Sequence, residues 1–367
     1  LNTYIKNEIT LMQFILVIHG LQVGVGVLEL PRKLAETAGT DGWISIILGW
    51  ILTTIASLII IQVMKKNPHG SILELVTQNF GKLIGKLVTI LFALYFAALS
   101  VIILIRESLF IQKWLLPQTA FPVLLLLLII PSYLIVQHNI RVLARYSEFI
   151  FYISLWIFIV YLIPTKEAHL LNLLPVLKDG MKPILQAVHS TLLSFIGFEA
   201  AFFLYPFLRQ KQAAALGIVV ANTLSMLLFL IVTIAAFSFF SPDEITQFKE
   251  PVINMFKVIE FQFIERLEII FLTYYIFVIS TTALPLLFLT VFCTSKLTGR
   301  QDRHSRHLIW FFSALFIYVL MSSPTFQQNS QWQGKIANLS IFVAYLLPLF
   351  LWMFLWVKHL FQRRELH

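Results

Sequence analysis

Long apolar runs separated by short polar stretches divide this chain into ten segments. They cover roughly residues 11–31, 43–64, 84–106, 121–137, 147–163, 184–206, 212–240, 267–293, 307–322 and 337–357. A helix needs about 20 apolar residues to cross the hydrocarbon of a bilayer, and the runs are of that order. The pattern predicts an all-α polytopic membrane protein, with 1–367 forming one transmembrane domain. Two further stretches, 70–82 and 251–265, are too short to span. Val252, Met255, Phe256 and Ile259 fall at helical spacing, so these segments are expected to lie as amphipathic helices at the interface.

The first run is unusual. Ile15 to Pro31 is apolar throughout, yet Gly20, Gly24 and Gly26 fall in its middle and Pro31 is expected to end it. Glycine is a poor helix residue that leaves helical angles cheaply. A helix opened inside a bilayer frees N–H and C=O groups, which is tolerated only against protein or a wet cavity. The run therefore reads as a broken helix, one half ending near Gln22 and the next starting near Val27. The sixth run repeats the device: Leu193 to Pro206 is interrupted at Gly197 and Glu199 and closes on proline.

Five spans precede a loop over 164–182 that carries Pro164, Pro175 and Gly180, and five follow it. An odd number per half makes the halves inverted repeats, about 11–163 and 184–360. Interrupted segments at corresponding positions of two such halves point to a ligand site near the bilayer midplane.

Composition agrees: 59% of residues are hydrophobic, 12% charged, and mean hydropathy is +0.85. The net charge of +9 sits in short loops between apolar runs, which is a topology signal and not a nucleic-acid face. With both termini in the cytoplasm, 16 of the 27 Lys and Arg residues fall inside, so that orientation is expected. The first run is too long for a cleavable leader and lacks a small-residue cleavage site. A single cysteine, Cys293, rules out an internal disulfide. No His, Cys, Asp or Glu cluster has ligand spacing, so neither a transition metal nor another cofactor is expected.

Gln22-Val-Gly-Val-Gly-Val-Leu-Glu-Leu-Pro31, followed by Ala35, Gly39, Asp41 and Gly42-Trp43, together with Gly197-Phe-Glu199 in span six, resembles the spore germination permease family. These are the B subunits of bacterial spore germinant receptors, within the amino acid–polyamine–organocation superfamily. The resemblance implies the five-plus-five inverted-repeat fold of leucine-type transporters, with helices 1 and 6 broken. It also implies residence in the inner membrane of a spore, a small germinant such as an amino acid, a sugar or a nucleoside, and work alongside an A subunit and a lipoprotein C subunit.

The candidate ligand-binding residues are Gln22, Val23, Gly24, Val25, Gly26 and Val27 at the first break, and Ile196, Gly197, Phe198 and Glu199 at the second. N–H groups at the start of the second half-helix suit an α-carboxylate. Packing glycines are the competing reading. A mid-membrane carboxylate costs roughly 2.5–3.5 kcal/mol on insertion scales. Glu199 therefore binds a ligand amine, titrates as a coupling site, or serves as a structural hydrogen bond. By analogy with the superfamily, Tyr95 and Ser100 face the substrate. By the same analogy the hydroxyls of Ser280, Thr281 and Thr282 lie near carbonyls freed at Gly20 and Leu21, as a sodium site needs. Bonding of those hydroxyls to their own helix is the alternative.

Other residues have plainer readings. His19 is expected to be packed, and Glu29 to pair with Arg32 and Lys33. Arg106 and Glu107 are expected at the interface, as are Trp43, Trp50, Trp114, Trp310, Trp332 and Trp356. The basic run 296–307 reads as topology, with lipid headgroups or the A subunit as other partners. Three functions fit: a ligand sensor, a working permease coupled to protons or sodium, and a scaffold or channel. No paired-carboxylate, Ser-His-Asp or P-loop constellation favours an enzyme.

Overall fold

The computed structural model describes residues 4, 7–24, 26–161, 169–257, 267–299 and 304–364. Among these the chain is helical, with one isolated parallel bridge between Ile9 and Leu208. The first broken run forms α1 (Leu11–Gln22) and α2 (Gly26–Ala38). A capping box starts α1, Thr10 Oγ1 accepting from the Gln13 amide at 3.2 Å and Gln13 Oε1 from the Thr10 amide at 3.1 Å. Pro31 lies inside α2 and does not end it. Its fixed φ suits a helix and it removes only one backbone bond.

Then come α3 (Gly42–Met64), α4 (Ile72–Trp114), α5 (Phe121–Val136) and α6 (Ile140–Tyr161). The amphipathic stretch 70–82 and the third run are joined in α4 across a kink at Gly81, whose φ of 88° only glycine adopts easily. The sixth run is α7 (Met181–Ser194) and α8 (Phe198–Phe207), bent by 45°. The rest is α9 (Ala214–Phe239), α10 (Pro251–Lys257), α11 (Leu267–Thr298), α12 (His304–Ser322), α13 (Phe326–Ile341) and α14 (Leu347–Arg364), with a π-helical turn at Phe342–Leu346 joining the last two. The expected interfacial segment 251–265 is helical as α10; its remainder, including Ile259, lies outside the described residues.

Seven helices among the described residues are long and apolar enough to cross a membrane, and the bent pair α7–α8 makes eight. The other two expected spans are less regular. The first is divided between α1, of 12 residues, and α2, which runs on into α3 through a 3₁₀ turn; the fourth, α5, has 16 residues.

The centre of the bundle is α11, 83% of whose apolar window is buried, against 22% for α12. It packs most extensively on α4 and also on α1, α6, α5 and α12. Side chains such as Leu83, Leu91, Trp310 and Met321 stand exposed on the outside, as the lipid-facing surface of a membrane protein requires. The buried apolar residues form two clusters. One holds Leu21 and Phe198, the other Val23, Val27 and Phe195. The clusters therefore change over at the two breaks.

Small residues let helices approach closely. Gly49 on α3 meets Thr191 of α7, and a Cβ there would lie within 2.9 Å of the Thr191 Cβ. Gly49→Val should destabilise the bundle by about 1–3 kcal/mol through overpacking, read as a lowered thermal midpoint of the purified protein.

Candidate functional site

The two breaks touch. Gly197 has φ 128°, and a Cβ on it would sit 2.8 Å from the Leu21 Cβ and 2.9 Å from the Leu21 carbonyl carbon. Both the dihedral and the close approach require glycine. The Glu199 carboxylate folds back over this turn. Its Oε2 accepts from the Gly197 amide at 2.7 Å and its Oε1 from the Tyr95 hydroxyl of α4 at 2.9 Å. Tyr95, Gly197 and Glu199 thus meet, and Phe198 is buried beside them against Tyr345. The Ile196 amide closes the end of α7 on the Leu193 carbonyl at 3.4 Å.

Freed backbone groups must find partners in an apolar interior. At the first break, hydroxyls of α11 supply them. Thr282 Oγ1 donates to the Gly20 carbonyl at 2.7 Å and the Tyr275 hydroxyl to the Gly24 carbonyl at 2.9 Å. The Val23 amide returns to His19 O at 3.0 Å. Thr281 Oγ1 bonds chiefly within its own helix, to Val278 O at 2.7 Å. Leu21 is held against Gly197. Steric need separates the glycines: a Cβ on Gly20 would lie 2.9 Å from Thr281 Oγ1 and one on Gly24 3.1 Å from Thr282 Oγ1, whereas Gly26 faces open space. Val25 lies outside the described residues.

A buried polar chain runs from the first break. Gln22 Nε2 donates to Phe195 O at 3.0 Å and to Asn222 Oδ1 at 2.8 Å, so both amide hydrogens are used. Ser225 Oγ donates to Gln22 Oε1 at 2.6 Å and lies 2.9 Å from His19 Nδ1. Asn222 Nδ2 donates to Ser57 Oγ at 2.9 Å. This ties α1, α3, α7 and α9 into one network. His19 is packed and hydrogen-bonded, as expected.

A cavity of about 50 Å³ opens beside α1, room for a few water molecules. His19, Gly20, Val23 and Val27 form one wall, and Tyr275 and Thr281 of α11 another. The third wall is α6, with Ser147, Ser154 and Tyr161. Those three hydroxyls recur every seven residues, on one face of the helix. Ser147 Oγ and Tyr161 Oη are buried without a hydrogen-bond partner among the described residues. The sequence reading missed this wall, although its spacing was visible. Tyr95, Phe198 and Glu199 do not line the cavity. Ser100 is buried and donates to Phe96 O at 2.7 Å within its own helix.

Ion pairing differs from expectation. Glu29 pairs with Lys33 at 3.2 Å and with Arg106 of α4, while Arg32 pairs with Glu36 at 2.7 Å. Arg106 and Glu107 are not interfacial in the sense of exposed: both are buried, because α4 continues past them to Trp114. Arg106 also donates to Ser330 of α13 at 3.2 Å. Trp50 too is turned inward, its indole donating to Thr223 at 3.2 Å. Among the described residues no group of three or more His, Cys, Asp or Glu side chains is placed to hold a metal.

Comparison with known proteins now decides the family. The model of the spore germination protein family, Spore_permease, matches residues 8–330. The chain belongs to this family. It is 28% identical over 352 residues to spore germination protein YndE of Bacillus subtilis, covering 94% of this chain and 95% of that one. GerQB of Bacillus cereus is 26% identical, with 90% and 92% covered, and spore germination protein B2 of Bacillus subtilis 25%, with 98% and 99% covered. Among solved structures the fold is similar to MHP1, a nucleobase-cation-symport-1 transporter in a closed conformation with bromovinylhydantoin bound. The TM-score is 0.59 at 10% identity, over 93% of this chain and 77% of that one. The architecture is therefore that of the leucine-type transporters, as expected, and this family member is an integral membrane protein.

Gly197→Ala in this family member should destabilise the paired breaks by at least about 1–3 kcal/mol, whereas Gly26→Ala, which meets nothing, should shift the thermal midpoint little. Equal effects in the two variants would show that the breaks do not depend on their contact.

Proposed function

We propose that this chain is the germinant-sensing subunit of a spore germinant receptor. It binds a small nutrient, in the first instance an amino acid, where helix 1 is broken, and passes the resulting change to A-type and C-type partner subunits in the spore inner membrane. Both termini face the cytoplasmic side, and residues 11–163 and 184–360 act as the two repeats around that point.

The observation that carries this reading is the cavity beside the break. The Ser147 and Tyr161 hydroxyls, without partners among the described residues, face it from α6, and buried polar groups without partners mark places where a polar ligand or water belongs. The start of α2 borders the same space through Val27. Its first amides, beginning at Gly26, and its positive dipole end suit a carboxylate, with Gly26 leaving the backbone open to approach. The cavity is small in this packed arrangement, so α1, α6 and α11 part to admit a ligand. A ligand that binds one arrangement better than the other shifts their balance, which is the signal.

A second reading is a permease that completes transport with a proton or sodium ion. The transporter fold favours it, as does the meeting of Thr281 and Thr282 with the Gly20 carbonyl. In the sensor the Glu199 turn holds the second break in register.

Purified protein in liposomes, offered labelled amino acids, sugars and nucleosides, separates the two readings. Saturable binding without accumulation is the expected result, and gradient-driven accumulation would make the chain a permease. Ser154→Leu, which fills the cavity from the α6 side, should weaken binding at least about tenfold, or 1.4 kcal/mol. Unchanged affinity in that variant would remove the cavity from the binding site.

A further inference from the structure

Glu107 lies inside the bundle on α4, 1% exposed. Its Oε1 has no hydrogen-bond partner among the described residues, and none of the ion pairs found there includes it. Arg106 precedes it directly but turns away, to Glu29, to Ser330 and over the Phe326 ring at 4.7 Å. Lys113, nearly two turns further along α4, is paired with Glu250 at 2.5 Å.

Of the charged side chains on the surrounding elements, Arg141 and Glu148 of α6 are bonded to Glu8 O and to Gln13, and Lys296 of α11 to Glu74; Arg145 of α6, Glu268 of α11 and Lys335 of α13 complete the set. From α6, Tyr146 lies within electrostatic reach of Glu107, and its hydroxyl is bonded to Ser280 of α11 at 2.6 Å. On α11, the Tyr275 ring packs 6.5 Å from that of Phe110, one turn beyond Glu107, and its hydroxyl is given to Gly24 O. From α13, Asn329 donates to the Ile102 carbonyl at 2.9 Å. Tyr133 is the titratable side chain of α5.

The contrast with Glu199 is instructive. Two donors hold the Glu199 carboxylate, whereas Glu107 has burial without compensation. An ionised carboxylate in such a place costs several kcal/mol, and the neutral acid avoids that cost. We propose that Glu107 is a proton-binding site of the membrane interior, occupied in this packed arrangement and emptied when α6 and α11 move away from α4.

On release the carboxyl O–H bond breaks and the proton passes to a water molecule admitted between the parted helices, giving hydronium and leaving the carboxylate. The proton and any ligand that favours the packed arrangement then strengthen each other's binding, by reciprocity. The site stands on the environment of Glu107 alone and holds whether the cavity binds an amino acid or something else.

Infrared spectroscopy of the full chain in vesicles of phosphatidylglycerol and phosphatidylcholine tests this directly. A protonated-carboxyl C=O band is expected at neutral pH in the parent and absent from Glu107→Gln, which preserves shape. A parent without that band, or a variant that retains it, overturns the proposal. Dicyclohexylcarbodiimide, which partitions into apolar regions and reacts with protonated carboxyls, tests it without any variant. Mass spectrometry should find the N-acylurea on Glu107 and show it falling at least tenfold across about pH 5 to pH 9. An adduct confined to Glu199, or none on Glu107 anywhere in that range, overturns it equally.

Discussion

The constraint on which this structure depends is that a backbone opened inside a membrane must still be hydrogen-bonded. Two helices are interrupted where they touch, and side chains answer the freed groups. Thr282 and Tyr275 reach from α11 to carbonyls of the first break. Glu199 caps the amide of the second. The cost of breaking α1 is thus met by a helix far away in sequence, α11, the most buried of the seven long helices. The breaks also coincide with the change from one apolar cluster to the other. Polar groups collect there because that is where the backbone creates demand for them.

That layer divides in two. On one side of α1, the network from His19 through Ser225, Gln22 and Asn222 to Ser57 satisfies its members and locks α1 to α3 and α9. Fully paired polar networks of this kind rigidify and specify a packing. Toward α6, His19 and its neighbours on α1 border a cavity where the Ser147 and Tyr161 hydroxyls have no partner among the described residues. A transporter fold does not by itself dictate transport, and the pairing of polar groups differs from place to place around α1.

The chain pattern by itself determined a great deal. Apolar runs, and glycines at 20, 24, 26 and 197 with a proline-closed sixth span, led to helical membrane architecture and to breaks in the right places, because both follow from local backbone preference and from lipid as solvent. Analogy placed Tyr95 toward a substrate; its bond to Glu199 and the capping of Gly197 by Glu199 came only from the structure. What the tertiary structure decided is which side chains answer the freed groups. Gly24 and Gly26 look alike in sequence, yet only Gly24 is crowded, because Thr282 lies over it and nothing lies over Gly26. Gln22 is consumed by Asn222, Phe195 and Ser225. Arg106 finds Glu29 across the bundle, and Glu107, its neighbour in sequence, is left alone in the interior. Burial and partnership at such positions arise from contacts between residues far apart in the chain, and no local pattern encodes them.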